Sequence, residues 1–334
     1  MKDLEVKKMI SKMIMIGFRG EKLPHWLADQ IKKYAPPAGI ILFDSNISSP
    51  LQLKRLISHI YSCCSEHMLI ALDQEGGKVS RLKPEKGFFP MPSASWIGEK
   101  DDPELAKKIY QSVSKELSEL GINCNLAPVV DLAINPENWI IVKLGRSYGV
   151  SEEKVIKYAR IFCDSLHSRR IISVLKHFPG HGSSSQDSHK GFVDISESWN
   201  PVELKPYEVL IREGRAKMIM TAHVFNRNLD PSYPATLSYK IINDLLRNKL
   251  RFKGVVISDD MQMKAIADYY SLSEAVTLAI NAGVNILLFA NQMGNISLEE
   301  VVELIYDELK KGNIKLEKII ESNRLIQKLL ATVS

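Results

Sequence analysis

The 334-residue chain carries 45% hydrophobic and 25% charged residues with a net charge of +5, the balance of a globular protein with a sizeable core rather than of a disordered one. Its basic residues alternate with acidic ones along helix-like stretches such as 152–160 and 301–312, which marks solvated faces and argues against a nucleic-acid partner. No uncharged run approaches a membrane span, the charged opening MKDLEVKKMISKMIMIGF lacks a cleavage site, and the four cysteines (63, 64, 124, 163) suit neither a metal site nor a disulfide framework, so a reduced, cytoplasmic monomer is expected.

Eight apolar runs, separated by amphipathic segments with helical spacing, follow in chain order: MIMIGF (13–18), GIILF (39–43), MLIALD (68–73), NCNLAPVVD (123–131), ISVLKHF (172–178), KMIMTAH (217–223), GVVISD (254–259) and VNILLFA (284–290). Eight strands alternating with helices predict a (β/α)8 barrel of the TIM type. Its length leaves room for one domain over 1–334, with a helical C-terminal segment. A doubly wound open sheet is the competing topology, but no G-x-G-x-x-G follows the first run. Barrel active sites gather at the C-terminal strand ends. Those ends hold Asp73, Asp131, Lys176, His177, His223, Asp259 and Asp260, an ionisable set that a purely structural rim has little use for.

The segment KHFPGHGSSSQDSHKGF (176–192) admits three readings: a surface loop with incidental histidines, a zinc site built from His177, His181, Asp187 and His189, or acid/base chemistry. The His-x3-His pair straddles Pro179 and Gly180, so it cannot present two imidazoles from one helix face, and the first strand end reads IGFRG rather than His-x-His. No metal or other cofactor is therefore expected. In the third reading Asp187 fixes the tautomer of His189, which moves protons, while Asp259 on a rigid strand end serves as nucleophile.

K-H-F-P-G-H-G-x4-D-S-H together with S-D-D-M resembles the β-N-acetylglucosaminidases of glycoside hydrolase family three. GIILFDSNI, LDQEGGKVSRL, NLAPVVDL, GRSYG, MTAHVF and PATLS follow in the family's order. The resemblance spans nearly the whole chain and implies a barrel fold and, for single-domain members, cytoplasmic removal of N-acetylglucosamine from 1,6-anhydro-muropeptides during cell-wall recycling. It implies Asp259 as nucleophile, His189 as general acid/base and Asp187 as its dyad partner. Asp73, Arg81, Arg146, Lys176 and His177 fall on sugar-binding positions. The stretch NPENWIIVKLGRSYG (135–149) departs from the family in being longer, and Trp139 is expected to fill the altered space. Two other functions stay open. One is phosphorolysis, since a neutral imidazole does not repel a phosphate dianion. The other is sugar binding without turnover.

Overall fold

The structure is a computed structural model that describes residues 2–64, 66–185 and 191–333. Eight parallel strands form a closed barrel: β1 (Ile14–Gly17), β2 (Gly39–Ile41), β3 (Leu69–Leu72), β4 (Cys124–Asn125), β5 (Ile172–Phe178), β6 (Met218–Thr221), β7 (Val255–Asp260) and β8 (Ile286–Phe289). Each pairs with its neighbour in the chain. β8 closes the ring on β1, with Ile14 opposite Leu287 and Met15 opposite Leu288. Every residue of β1, β3, β5, β6 and β8 is buried, as expected of parallel strands covered on both faces. Each fully buried Ile or Leu contributes about 1.5–3 kcal/mol.

The helices obey local rules. Pro103–Leu120 starts where the Asp102 carboxylate accepts the N–H groups of Glu104 and Leu105 at 3.0 Å, and proline, needing no N–H there, occupies its first position. Ala106, Tyr110, Val113, Leu117 and Leu120, spaced three or four apart, form its buried face. The charged stretch at 152–160 lies in the helix Glu152–His167, and that at 301–312 runs from the helix Leu298–Lys310 two residues past its end.

Two details differ from the apolar pattern. β4 is only two residues long, because Pro128 has no N–H to give the ladder; pairing resumes at the Val129–Lys176 bridge. A short antiparallel hairpin, Gln74–Gly76 with Val79–Ser80, rises from the end of β3. The Gln74 side chain accepts the N–H groups of Arg81 and Leu82 at 3.0 Å, and Asn125 brackets the Gln74 backbone with two 3.0 Å bonds. At Gly17 the barrel closes so tightly that a Cβ would sit 2.2 Å from the Ala290 carbonyl oxygen.

Candidate active site

Strand β5 carries Lys176 and His177 onto the C-terminal rim, where other strand ends bring charges to meet them. Lys176 Nζ lies 2.8 Å from Asp73 Oδ1 and 2.6 Å from Glu75 Oε1. Arg146 grips Glu75 with both arms of its guanidinium, at 2.7 and 2.9 Å, and Arg81 Nη2 donates to Asp73 Oδ2 at 3.0 Å. Glu75, which the sequence did not single out, is thus the hub of the cluster. Burial alone would push both carboxyls up. The cations outweigh it, so Lys176 and Arg81 hold Asp73, and Arg146 and Lys176 hold Glu75, below the usual carboxylate range. The same pairing overrides the cost of burial for Lys176 and keeps it charged. Removing one member of a buried ion cluster strands the others. Glu75→Ala is accordingly expected to destabilise the fold by about 3–5 kcal/mol in urea unfolding, and a loss below about 1 kcal/mol would show that water rescues the two cations.

Asp131 organises the next layer. Its Oδ2 lies 2.7 Å from His177 Nδ1, and it also accepts the backbone N–H groups of His177 at 3.2 Å and His181 at 2.9 Å. Arg146 Nη2 stands 3.2 Å from His177 Nε2. A guanidinium only donates, so Nε2 accepts and the imidazole carries its proton on Nδ1, toward Asp131. Burial, with the neighbouring His177, pushes His181 down to about 4, leaving it neutral at physiological pH; its Nδ1 lies 2.7 Å from Ser184 Oγ.

Loop 135–149 supports both groups. Asn138 Nδ2 donates to the His181 carbonyl at 2.8 Å and to Ser184 Oγ at 3.1 Å, Asn135 Nδ2 donates to the Ser184 carbonyl at 3.0 Å, and Arg146 Nη1 donates to the Ile140 carbonyl at 3.3 Å. The expectation for Trp139 is corrected: it is 62% exposed and fills nothing, while Ile140 and Ile141 pack on Val129 instead. The Asn138 hydrogen bonds orient this turn so that the indole faces outward. Asp187 and His189 lie outside the described residues.

Below this stem, buried Glu203 accepts the Gly182 N–H at 2.9 Å. Burial pushes its carboxyl up from 4.5 to about 7, with the Asp131 charge adding to the shift. A carboxyl whose pKa rises on folding holds its proton more tightly when folded. Its contribution to stability is complete below the unfolded value near 4.5 and is lost as the pH climbs through about 7. Between about pH 5 and about pH 8 the wild type should lose up to about 3 kcal/mol relative to Glu203→Gln. Unfolding both proteins at the two pH values reads the difference; parallel curves would mean that Glu203 does not titrate in this range.

These groups border a cavity of about 290 Å³ at the barrel mouth, to which Asp73, Glu75, Arg81, Arg146, Lys176, His177, His181 and Asp259 all contribute. Every described residue expected at a sugar or at the reacting centre therefore faces one space. The adjacent aspartates of β7 divide their work. Both border the cavity, but the Asp260 Oδ1 accepts the N–H groups of Gln262 and Ala290 at 3.1 Å, whereas the half-buried Asp259 accepts the Asp260 N–H at 2.8 Å. His223 donates from Nε2 to the Asp260 carbonyl at 2.9 Å, bracing the same strand end rather than lining the cavity. Among the described residues no group of three or more His, Cys, Asp or Glu is placed to hold a metal ion, and the four cysteines are free.

A small cavity on a (β/α)8 rim, offering both charged hydrogen-bond donors and carboxylates, is the arrangement of a barrel enzyme. The chain belongs to glycosyl hydrolase family 3: the pattern of the glycosyl hydrolase family 3 N terminal domain matches residues 5–329. It is 31% identical to beta-hexosaminidase A of Pseudoalteromonas piscicida over 98% of this chain and 61% of that protein. A glycoside hydrolase family 3 beta-N-acetylglucosaminidase from Paenibacillus sp. str. FPU-7 superposes with a TM-score of 0.89 at 30% identity, covering 98% of this chain and 63% of the other. The beta-N-acetylhexosaminidase of Beutenbergia cavernae matches with a TM-score of 0.88 at 25% identity over 98% of both chains. The chain thus spans about three fifths of the first two proteins and nearly all of the third.

Proposed function

We propose that the protein is a retaining exo-β-N-acetylglucosaminidase that removes terminal N-acetylglucosamine from peptidoglycan-derived (anhydro)muropeptides. The observation that carries the reading is the cavity at the barrel mouth, where Asp259 from β7 faces the Asp73, Arg81, Arg146, Lys176 and His177 cluster across a space of single-sugar scale. Charge-assisted donors and acceptors on several sides suit a pyranose, which offers hydroxyls in several directions. The names carried by the similar proteins point to the same hexosamine chemistry.

In the proposed mechanism Asp259 attacks the anomeric carbon while protonated His189 gives its proton to the departing glycosidic oxygen. The covalent glycosyl-aspartate is then opened by water that neutral His189 deprotonates, and the sugar leaves with retained configuration. Retaining glycosidases commonly set two carboxyls about 5 Å apart; here an imidazole with a free pKa near ~6.5 takes the acid/base place, steadied by Asp187. One barrel carries all these residues, in a cytoplasmic monomer that needs no metal.

Release of chromophore from an aryl β-N-acetylglucosaminide tests the reading, with and without added phosphate. Free sugar in both cases is expected. Sugar 1-phosphate would make the enzyme a phosphorylase, and tight sugar binding without release would make it a sensor. Dialysis against a strong chelator should leave the rate unchanged; a loss that zinc restores would overturn the metal-free mechanism. Cell fractionation checks the location.

A further inference from the structure

The segment that follows β5 is gripped at two successive peptide groups. Asp131 Oδ1 accepts the His181 N–H at 2.9 Å, and Glu203 Oε2 accepts the Gly182 N–H at 2.9 Å. Both acidic residues are only 1% exposed, so bulk water does not stand in for either carboxyl. Glu203 comes from the short 3-10 turn Pro201–Leu204, and its other oxygen, Oε1, accepts the Asn200 N–H at 3.4 Å. The residues leading into that turn add a second tie, as Trp199 Nε1 donates to the Pro179 carbonyl at 3.1 Å.

The two glycines of PGHG make this grip possible. A Cβ on Gly180, whose φ is +124°, would stand 2.7 Å from Glu203 Cβ and 2.8 Å from its Oε2. One on Gly182 would stand 1.7 Å from the Leu132 carbonyl oxygen. The backbone at 180–182 is therefore squeezed between the strand-end segment that carries Asp131 and the turn that carries Glu203, with no room for a side chain on either glycine. His181, between the two glycines, borders the sugar cavity, and in the sequence Asp187 and His189 follow five and seven residues after Gly182.

We propose that Glu203 is a positioning residue for the reaction: by holding the Gly182 N–H it fixes the backbone from which the chain continues to its acid/base residues. The proposal rests on the glycosidase reading above. The sugar-binding cluster does not depend on this tie, because Asp73, Arg81, Arg146 and Lys176 are held to one another and to Glu75. Losing the tie therefore impairs proton donation and spares sugar binding, a split that a mere loss of packing does not produce.

The test measures kcat/KM on a β-N-acetylglucosaminyl disaccharide and on an activated aryl β-N-acetylglucosaminide, with N-acetylglucosamine as competitive inhibitor, at a temperature where circular dichroism shows every variant folded. Glu203→Leu fills the space without an acceptor and Glu203→Gln keeps one. Leu210→Ala, in the following helix Lys205–Arg212, destabilises the core away from the stem. Glu203→Leu should lower kcat/KM about tenfold or more on the disaccharide and less than about twofold on the aryl glycoside, with the inhibition constant within about twofold of wild type. Glu203→Gln should restore the disaccharide rate, and Leu210→Ala should leave the ratio of the two rates unchanged. Equal losses on both substrates, no rescue by glutamine, or the Glu203→Leu ratio reappearing in Leu210→Ala would overturn the proposal. Should Glu203→Leu not fold, Glu203→Asp, one methylene short of Gly182, is read by the same ratio, and a wild-type ratio there refutes the tie. If wild type cleaves neither substrate, the glycosidase reading has failed instead. Amide hydrogen exchange then decides the positioning: Gly182 exchange about tenfold faster in Glu203→Leu and unaltered in Glu203→Gln supports it, and unaltered exchange in Glu203→Leu refutes it.

Discussion

Asp259→Ala is expected to lower kcat by about 10⁴-fold or more while leaving the fold intact, the largest effect of any single side chain. Covalent catalysis divides one difficult displacement into two easier ones, and no other group can replace the atom that bonds to the sugar. The fold should survive because the β7 end is tied to β8 by the Asp260 carboxylate, which holds the Gln262 and Ala290 N–H groups, and by the Ser258 hydroxyl, which accepts the Leu288 N–H. Circular dichroism and the unfolding midpoint check that part. A fluorinated sugar with a good leaving group should trap the intermediate on one peptide, with the label at Asp259. The neighbour offers a sharp control, since Asp260 has the same functional group one residue away but is already bound to backbone. A label on Asp260 would reverse the division of labour between the two.

His189→Ala and Asp187→Ala should show their losses selectively. A general acid matters most when the leaving group is a sugar alkoxide, and much less for an acidic phenol that departs without help. Both variants are therefore expected to lose about 10²–10⁴-fold in kcat/KM on a disaccharide and far less on an activated aryl glycoside. Asp187 belongs in the comparison because a histidine without its orienting carboxylate keeps its ring but loses tautomer and basicity. Equal losses on both substrates would mean that His189 binds sugar rather than donating a proton. A wild-type Asp187→Ala beside a dead His189→Ala would dissolve the dyad and leave the histidine alone.

The barrel was legible because buried parallel strands are written as unbroken apolar runs, and all eight runs became strands. Asp73, Lys176, His177 and Asp259 were legible for a related reason: an ionisable residue closing an apolar run has to point somewhere useful. Glu75 escaped that logic. It sits three residues past the end of β3 in DQEGG, on a hairpin too short to show period-two alternation, and its worth depends on Arg146 and Lys176, which arrive from distant parts of the chain. Asp131 was visible as a strand end but not as the partner of His177, because hydrogen-bond pairing across a rim is fixed by strand neighbours and not by spacing. The outward face of Trp139 was not legible, because the Asn138 side chain, with three bonds to segment 181–184 and one to the Ile141 N–H, decides which way that turn faces.

The closure of β1 on β8 has a kinetic meaning. Ile14 meets Leu287 across most of the chain, so the ring cannot be completed until the last strand is in place. That strand also supplies the Ala290 N–H that steadies Asp260, and with it the segment that presents Asp259. Half a barrel would have neither a sealed mouth nor a set nucleophile. Refolding from denaturant should consequently restore activity in step with the final, slowest phase of structure formation, and partly folded species, however helical, should be catalytically silent.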